Sequence, residues 1–187
     1  MPKNTNNILL IGPMGSGKTS VAKLLASNLD KKFLDTDEEV MKKTGVDVAY
    51  IFDMEGEEGF RKRECLALKE CLNDNNTVLS TGGGIVLSKE NRDLLQNRGT
   101  VVYLQTSVRS QAERTASSNN RPLLQNKDPE ETLEKLMLTR GPLYEEIADI
   151  VIMTDNKSLQ EMSKEIQRAI NEPVSYTHLT LPTILLV

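Results

Sequence analysis

Gly12-Pro13-Met14-Gly15-Ser16-Gly17-Lys18-Thr19 sets glycines, a lysine and a hydroxyl at the spacing G-x-x-x-x-G-K-[ST], and each of these residue types has a task at a polyphosphate. Glycines let backbone N–H groups turn inward around phosphate oxygens, and a helix opening at the loop adds its partial positive charge. Lys18 is placed to reach the β- and γ-phosphates of ATP and the Thr19 hydroxyl to ligate Mg²⁺. The run Gly15, Ser16, Gly17, Lys18, Thr19 and Ser20 is therefore the expected nucleotide site. A plain glycine-rich turn with an exposed lysine is the competing reading, and it leaves the flanking strand and helix patterns without a purpose.

Further polar residues stand where the same chemistry needs them. Asp35 and Asp37 lie two apart at the end of an expected strand, so their side chains are expected to point the same way, into the crevice where open α/β sheets bind ligands. Asp35, nearer the strand, suits the Mg²⁺ shell directly or through water; Asp37 is left for an acceptor's hydroxyls. The alternative is an N-cap pair for a helix over Glu38 to Lys43. Arg61 and Glu64, three apart on an expected helix, share a face, and by themselves would form an ion pair of less than about 1 kcal/mol. Arg63 faces elsewhere and reads as solvated. Gly82, Gly83 and Gly84 follow an expected strand and permit close backbone approach. Ser80 and Thr81 occupy the place of the metal-binding acid of other nucleotide-binding loops' partners, so metal duty is expected of Thr19 and Asp35. Arg121 sits in the aperiodic stretch Ser117 to Lys127, which reads as a mobile lid over about 115–128 carrying a cation onto the γ-phosphate.

These residues need a scaffold that presents loops at one sheet edge. Apolar runs at Asn7 to Gly12, Lys32 to Thr36, Thr77 to Thr81, Thr100 to Thr106 and Asp149 to Thr154 alternate with helical patterns, which predicts a three-layer α/β/α domain with a five-stranded parallel sheet. Thr19 to Leu29 carries one apolar stripe at helical spacing. Ser88 and Gly99 bracket one helix, Ser158 with Glu161 is a capping box, and Asp128, Pro129 and Glu131 form a cap, a first-turn proline and a box partner. The domain spans residues 1–172. Pro173 to Val187 reads as an appended tail of the kind a cloning vector contributes, and the single histidine, His178, lies in it without a role.

Composition narrows the function classes. With 23 Lys and Arg against 27 Asp and Glu, the net charge is −4 over 187 residues, which argues against nucleic acid or an anionic membrane as partner. No apolar run approaches the roughly 20 residues of a membrane span, and the start lacks a secretory pattern; a cytoplasmic, monomeric enzyme is expected. Cys65 and Cys71, six apart on one helix, cannot pair within it and read as two buried thiols.

Beyond the loop, four segments together resemble the shikimate kinase family: Phe33-Leu34-Asp35-Thr36-Asp37; Gly56-Glu57-Glu58-Gly59-Phe60-Arg61-Lys62-Arg63-Glu64; Ser80-Thr81-Gly82-Gly83-Gly84; and Asn120-Arg121-Pro122-Leu123-Leu124 with Arg140-Gly141-Pro142-Leu143-Tyr144-Glu145-Glu146. In order and spacing they cover about residues 5 to 171. The resemblance implies a P-loop fold of the nucleoside monophosphate kinase type and transfer from Mg²⁺-ATP to the 3-hydroxyl of shikimate, without a covalent enzyme intermediate. It also implies that Asp37 holds the acceptor and takes its proton, and that Arg61 and Arg140 grip its carboxylate. Glu64 would orient Arg61 or a hydroxyl, the three glycines would offer N–H groups, Arg114 would stack on adenine, and Arg121 would act on the transferring phosphoryl. Thr19-Ser20 departs from the family's usual Ser-Thr or Thr-Thr but keeps the ligand hydroxyl. The readings in competition are a kinase of another small polyol acid such as gluconate, and a nucleotide-binding regulatory module, which would not need Asp37, Arg61 and the triple glycine together.

Overall fold

A computed structural model describes residues 6–116 and 128–172. Residues 117–127 of the lid, with Arg121, and the tail with His178 lie outside the described residues. Five strands form the sheet: β1 Ile8–Ile11, β2 Lys32–Asp35, β3 Thr77–Ser80, β4 Thr100–Gln105 and β5 Ile150–Met153. All neighbours are parallel, in the order β2-β3-β1-β4-β5. Each strand is a residue or two shorter than the apolar run that signals it.

The helices are α1 Lys18–Asn28, α2 Thr36–Thr44, α3 Val48–Cys71, α4 Lys89–Arg98, α5 Val108–Thr115, α6 Pro129–Ile147 and α7 Leu159–Asn171. Strand alternation sorts the core. Ile8 and Leu10 of β1 join Val21 and Leu25 of α1 and Met162 and Ile166 of α7 on one face. Leu9 and Ile11 join Leu68 of α3, Leu95 of α4 and Tyr144 and Ile147 of α6 on the other. Each such side chain, fully buried, contributes about 1.5–3 kcal/mol, and burial on both faces explains why β1 reads as an unbroken apolar run. Because β1 is central, with β3 and β4 on either side, the loops after β1 and β3 diverge at the carboxyl edge and leave a crevice between them. Among the described residues no helix is long and apolar enough to cross a membrane.

Some local expectations hold and others need correction. Ser158 and Glu161 form the full capping box, and Ser88 caps α4. Asp128 caps α6, but Glu131 pairs with Lys135 instead of closing a box. Only Cys71 is buried; Cys65 is half-exposed, near Glu90. Asp37 is not on the strand: β2 ends at Asp35, whose side chain caps α2 by accepting from the N–H groups of Asp37 and Glu38, and Asp37 stands in the first helical turn. Finally, α3 breaks at Gly56, whose φ of 70° and ψ of −178° are not helical; a Cβ there would be strained.

Candidate active site

The glycine loop joins β1 to α1. Gly12 has φ 147°, and a Cβ on it would stand 2.7 Å from the Leu104 carbonyl oxygen, so the loop packs against β4 only as glycine. Gly17 caps α1 at φ 85°, with no side chain bonded to the helix end, which leaves first-turn donors for a phosphate. Lys18 is not the solvent-facing group its loop position suggests. It is 8% exposed, and Nζ donates to the carbonyls of Gly12 and Pro13 at 2.8 Å each and to Ser16 Oγ at 3.2 Å. The ammonium is thus held at the loop's centre by oxygens that a phosphate can replace. Ser20 is exposed at the start of α1.

Three oxygen groups meet beside Lys18. Thr19 Oγ1 donates to Asp35 Oδ2 at 3.0 Å and lies 3.3 Å from Ser80 Oγ. Asp35 divides its labour, since Oδ1 takes the α2 cap while Oδ2 faces Thr19. One carboxylate and two hydroxyls, all hard oxygen donors, fit Mg²⁺, which is usually held by one or two carboxylates plus phosphates and water. Ser80 had no role in the sequence; only the parallel register Asp35 to Ser80 brings it here.

Across the crevice, α2, α3, α6 and the loop after β3 enclose a cleft of about 250 Å³, lined among others by Asp37, Arg61, Glu64, the triple glycine and Arg140. Glu64 is fully buried; Oε2 accepts from Arg61 Nη1 at 2.7 Å while Oε1 has no partner. Burial raises its carboxyl against the pull of Arg61 and Arg140. Arg61 also reaches Glu57 Oε1, at 3.0 Å from Nη2 and 3.3 Å from Nε, and lies over the Phe60 ring. Burial opposes its charge, but Glu64 and Glu57 outweigh that and hold the guanidinium above its ordinary value. Arg140 is 5% exposed, and burial lowers it; among the described residues no carboxylate lies within ion-pair distance of it. Asp37 Oδ1 is likewise buried without a partner. Burial, then Glu64 and Asp35, push its carboxyl up to about 7, against the pull of Lys18 and Arg61.

The triple glycine has a steric reason that composition could not reveal. A Cβ on Gly82 would lie 2.3 Å from Glu64 Oε1 and 3.0 Å from Asp37 Oδ1, and one on Gly84 would lie 2.2 Å from Arg61 Nη2. The charged groups converge only where side chains are missing. The expectation that all three N–H groups face a ligand fails at Gly82, which donates to Thr36 Oγ1 at 3.0 Å. Arg114 is at the far side of the glycine loop, tying the Gly15 carbonyl to Thr154. Arg63 is half-exposed and paired with Glu55 outside the cleft, as the solvated reading has it.

Among known proteins, a model of the shikimate kinase family matches residues 14–171. A shikimate kinase of Thioalkalivibrio sulfidiphilus is 51% identical over 164 residues, 88% of this chain and 86% of its own length. A shikimate kinase from Acinetobacter baumannii, solved in complex with shikimate, matches with a TM-score of 0.89 at 43% identity, covering 91% of this chain and 96% of that one. A gluconokinase from Sinorhizobium meliloti shares the fold alone, at a TM-score of 0.63 and 18% identity, covering 90% of this chain and 93% of that one.

Proposed function

The chain belongs to the shikimate kinase family, and on that premise we propose how its own residues divide the transfer of the γ-phosphoryl group of ATP to the 3-hydroxyl of shikimate. The observation that carries the division is the cleft's unpaired chemistry. Among the described residues, a buried guanidinium without a carboxylate, Arg140, faces the same small volume as two buried carboxylate oxygens without donors, on Asp37 and Glu64. Buried groups of this kind are costly until matched. A ligand with an anion at one end and hydroxyls at the other supplies every missing partner, and shikimate is such a ligand.

Arg140 and Arg61 hold the carboxylate, Asp37 accepts from the 3-hydroxyl and receives its proton, and Glu64 fixes Arg61. On the nucleotide side, the glycine loop and Lys18 embrace the phosphates, with Arg114 near the base and Arg121 acting from the segment outside the described residues. Thr19, Asp35 and Ser80 would hold Mg²⁺, which when bound supplies positive charge at the β- and γ-oxygens. Transfer in line needs no protein nucleophile. ADP release in the presence of Mg²⁺-ATP tests the reading: it should depend on shikimate, and equal release with gluconate or with no acceptor contradicts it.

Arg61→Lys separates the acceptor role from the nucleotide role. Lysine keeps the charge but cannot bond Glu57, Glu64 and a carboxylate as a planar fork does. We expect the shikimate KM to rise about 10- to 100-fold, the worth of one charge-assisted hydrogen bond, with the ATP KM little changed. Equal rises in both KM values, measured in steady state, indicate a structural role instead.

A further inference from the structure

Tyr144 is buried and does no chemistry in the scheme above, yet its hydroxyl donates to the carbonyl of Gly83 in the triple glycine, 61 residues away in sequence. Its ring stacks on Tyr103 of β4, with centroids 5.1 Å apart and an interplanar angle of 26°, so the hydroxyl's position is set by the core. Tyr144 stands four residues after Arg140 on α6, and helical side chains lean back toward the preceding turn. The same hydroxyl offsets part of the burial that lowers the Arg140 guanidinium. Arg140 Nη1 is also 3.6 Å from where a Cβ of Gly83 would be.

We propose that Tyr144 is a positioning residue for the acceptor's carboxylate, acting on two of its contacts at once. A trans peptide directs its C=O and the following N–H to opposite sides, and no described peptide bond is cis. Holding the Gly83 carbonyl against the core therefore turns the Gly84 N–H the other way, toward the cleft that Gly84 lines. The Tyr144 hydroxyl favours the charged Arg140 guanidinium as well. Glycines have the widest backbone freedom of any residue, so without this bond the peptide has little to keep its N–H aimed at a ligand. The proposal rests on the reading that the cleft takes shikimate by its carboxylate, and it deepens that reading.

The test compares Tyr144→Phe with Tyr103→Phe, which removes a hydroxyl from the same stacked pair without touching Gly83 or Arg140. Tyr144→Phe should raise the shikimate KM about 5- to 10-fold, the worth of one neutral hydrogen bond, with kcat and the ATP KM within about twofold of wild type. Tyr103→Phe should change none of them. An unchanged shikimate KM in Tyr144→Phe, or the same rise in Tyr103→Phe, overturns the proposal, and so does an equal rise for ATP. In the wild-type protein, whatever the variants do, the Gly84 amide proton should shift downfield when shikimate binds; no shift overturns the proposal as well. If wild type fails to phosphorylate shikimate, the reading of the cleft falls first; if wild type turns over while these signatures are missing, only the role of Tyr144 falls.

Discussion

Asp37→Asn should lower kcat by about 10²–10⁴-fold, the usual worth of general-base assistance, while leaving ATP binding nearly unchanged. Asparagine keeps the size and the hydrogen-bonding oxygen but cannot take a proton. With the wild-type carboxyl pushed up to about 7 in the ligand-free protein, kcat/KM for shikimate should rise with pH through an apparent value near that, and the variant should lose this limb. Stability moves the other way. A carboxyl that titrates near its ordinary 3.8 when unfolded and about 7 when folded holds an extra proton in the folded state between those values. Its contribution is therefore full below about pH 4 and is lost as pH rises toward about 7. Asp37→Asn, neutral throughout, should melt higher than wild type at pH 8 and by less at pH 5, with on the order of 4 kcal/mol as the ceiling for three pH units. Calorimetry at the two pH values checks this, and equal gains at both contradict a titrating Asp37.

Lys18→Met should lower kcat by about 10²–10³-fold or more, the scale found when one preorganised donor to developing charge is removed. Methionine is chosen because the lysine stem is buried, so alanine would add a cavity to the loss of charge. The ammonium already bonds Gly12, Pro13 and Ser16; those contacts hold the loop open around the space of a phosphate, and part of the loss will show as weaker ATP binding. A steady-state comparison with a melting curve decides: activity within about tenfold of wild type at an unchanged fold contradicts the phosphate role.

What the chain revealed before folding divides along physical lines. The strands were legible because a parallel sheet buried on both faces demands continuous apolar runs such as Ile8 to Ile11. The phosphate loop was legible because its glycines, lysine and hydroxyl act within eight consecutive residues. Asp37 was recognised but placed on the wrong element, since a helix that begins immediately after a strand, capped by Asp35, leaves no turn residues to announce it. Lys18's burial depends on its own loop folding back. Ser80 and Tyr144 gained their places only through contacts 61 residues distant, which no local spacing encodes. The steric need for Gly82 and Gly84 likewise arises from Glu64, Asp37 and Arg61 arriving from α2 and α3.

The central claim is that Arg140 is a buried cation kept for the acceptor's carboxylate, and a cycle of two changes tests it most directly. Phosphorylation of shikimate and of its carboxylate methyl ester is measured with wild type and with Arg140→Ala. In wild type the ester should lose about 10- to 100-fold in kcat/KM, as a charge-assisted bond requires. In Arg140→Ala the gap between ester and acid should shrink markedly, because Arg61 alone is left to distinguish them. If the ester suffers the same loss in both proteins, Arg140 does not hold the carboxylate, and the cleft has been read wrongly.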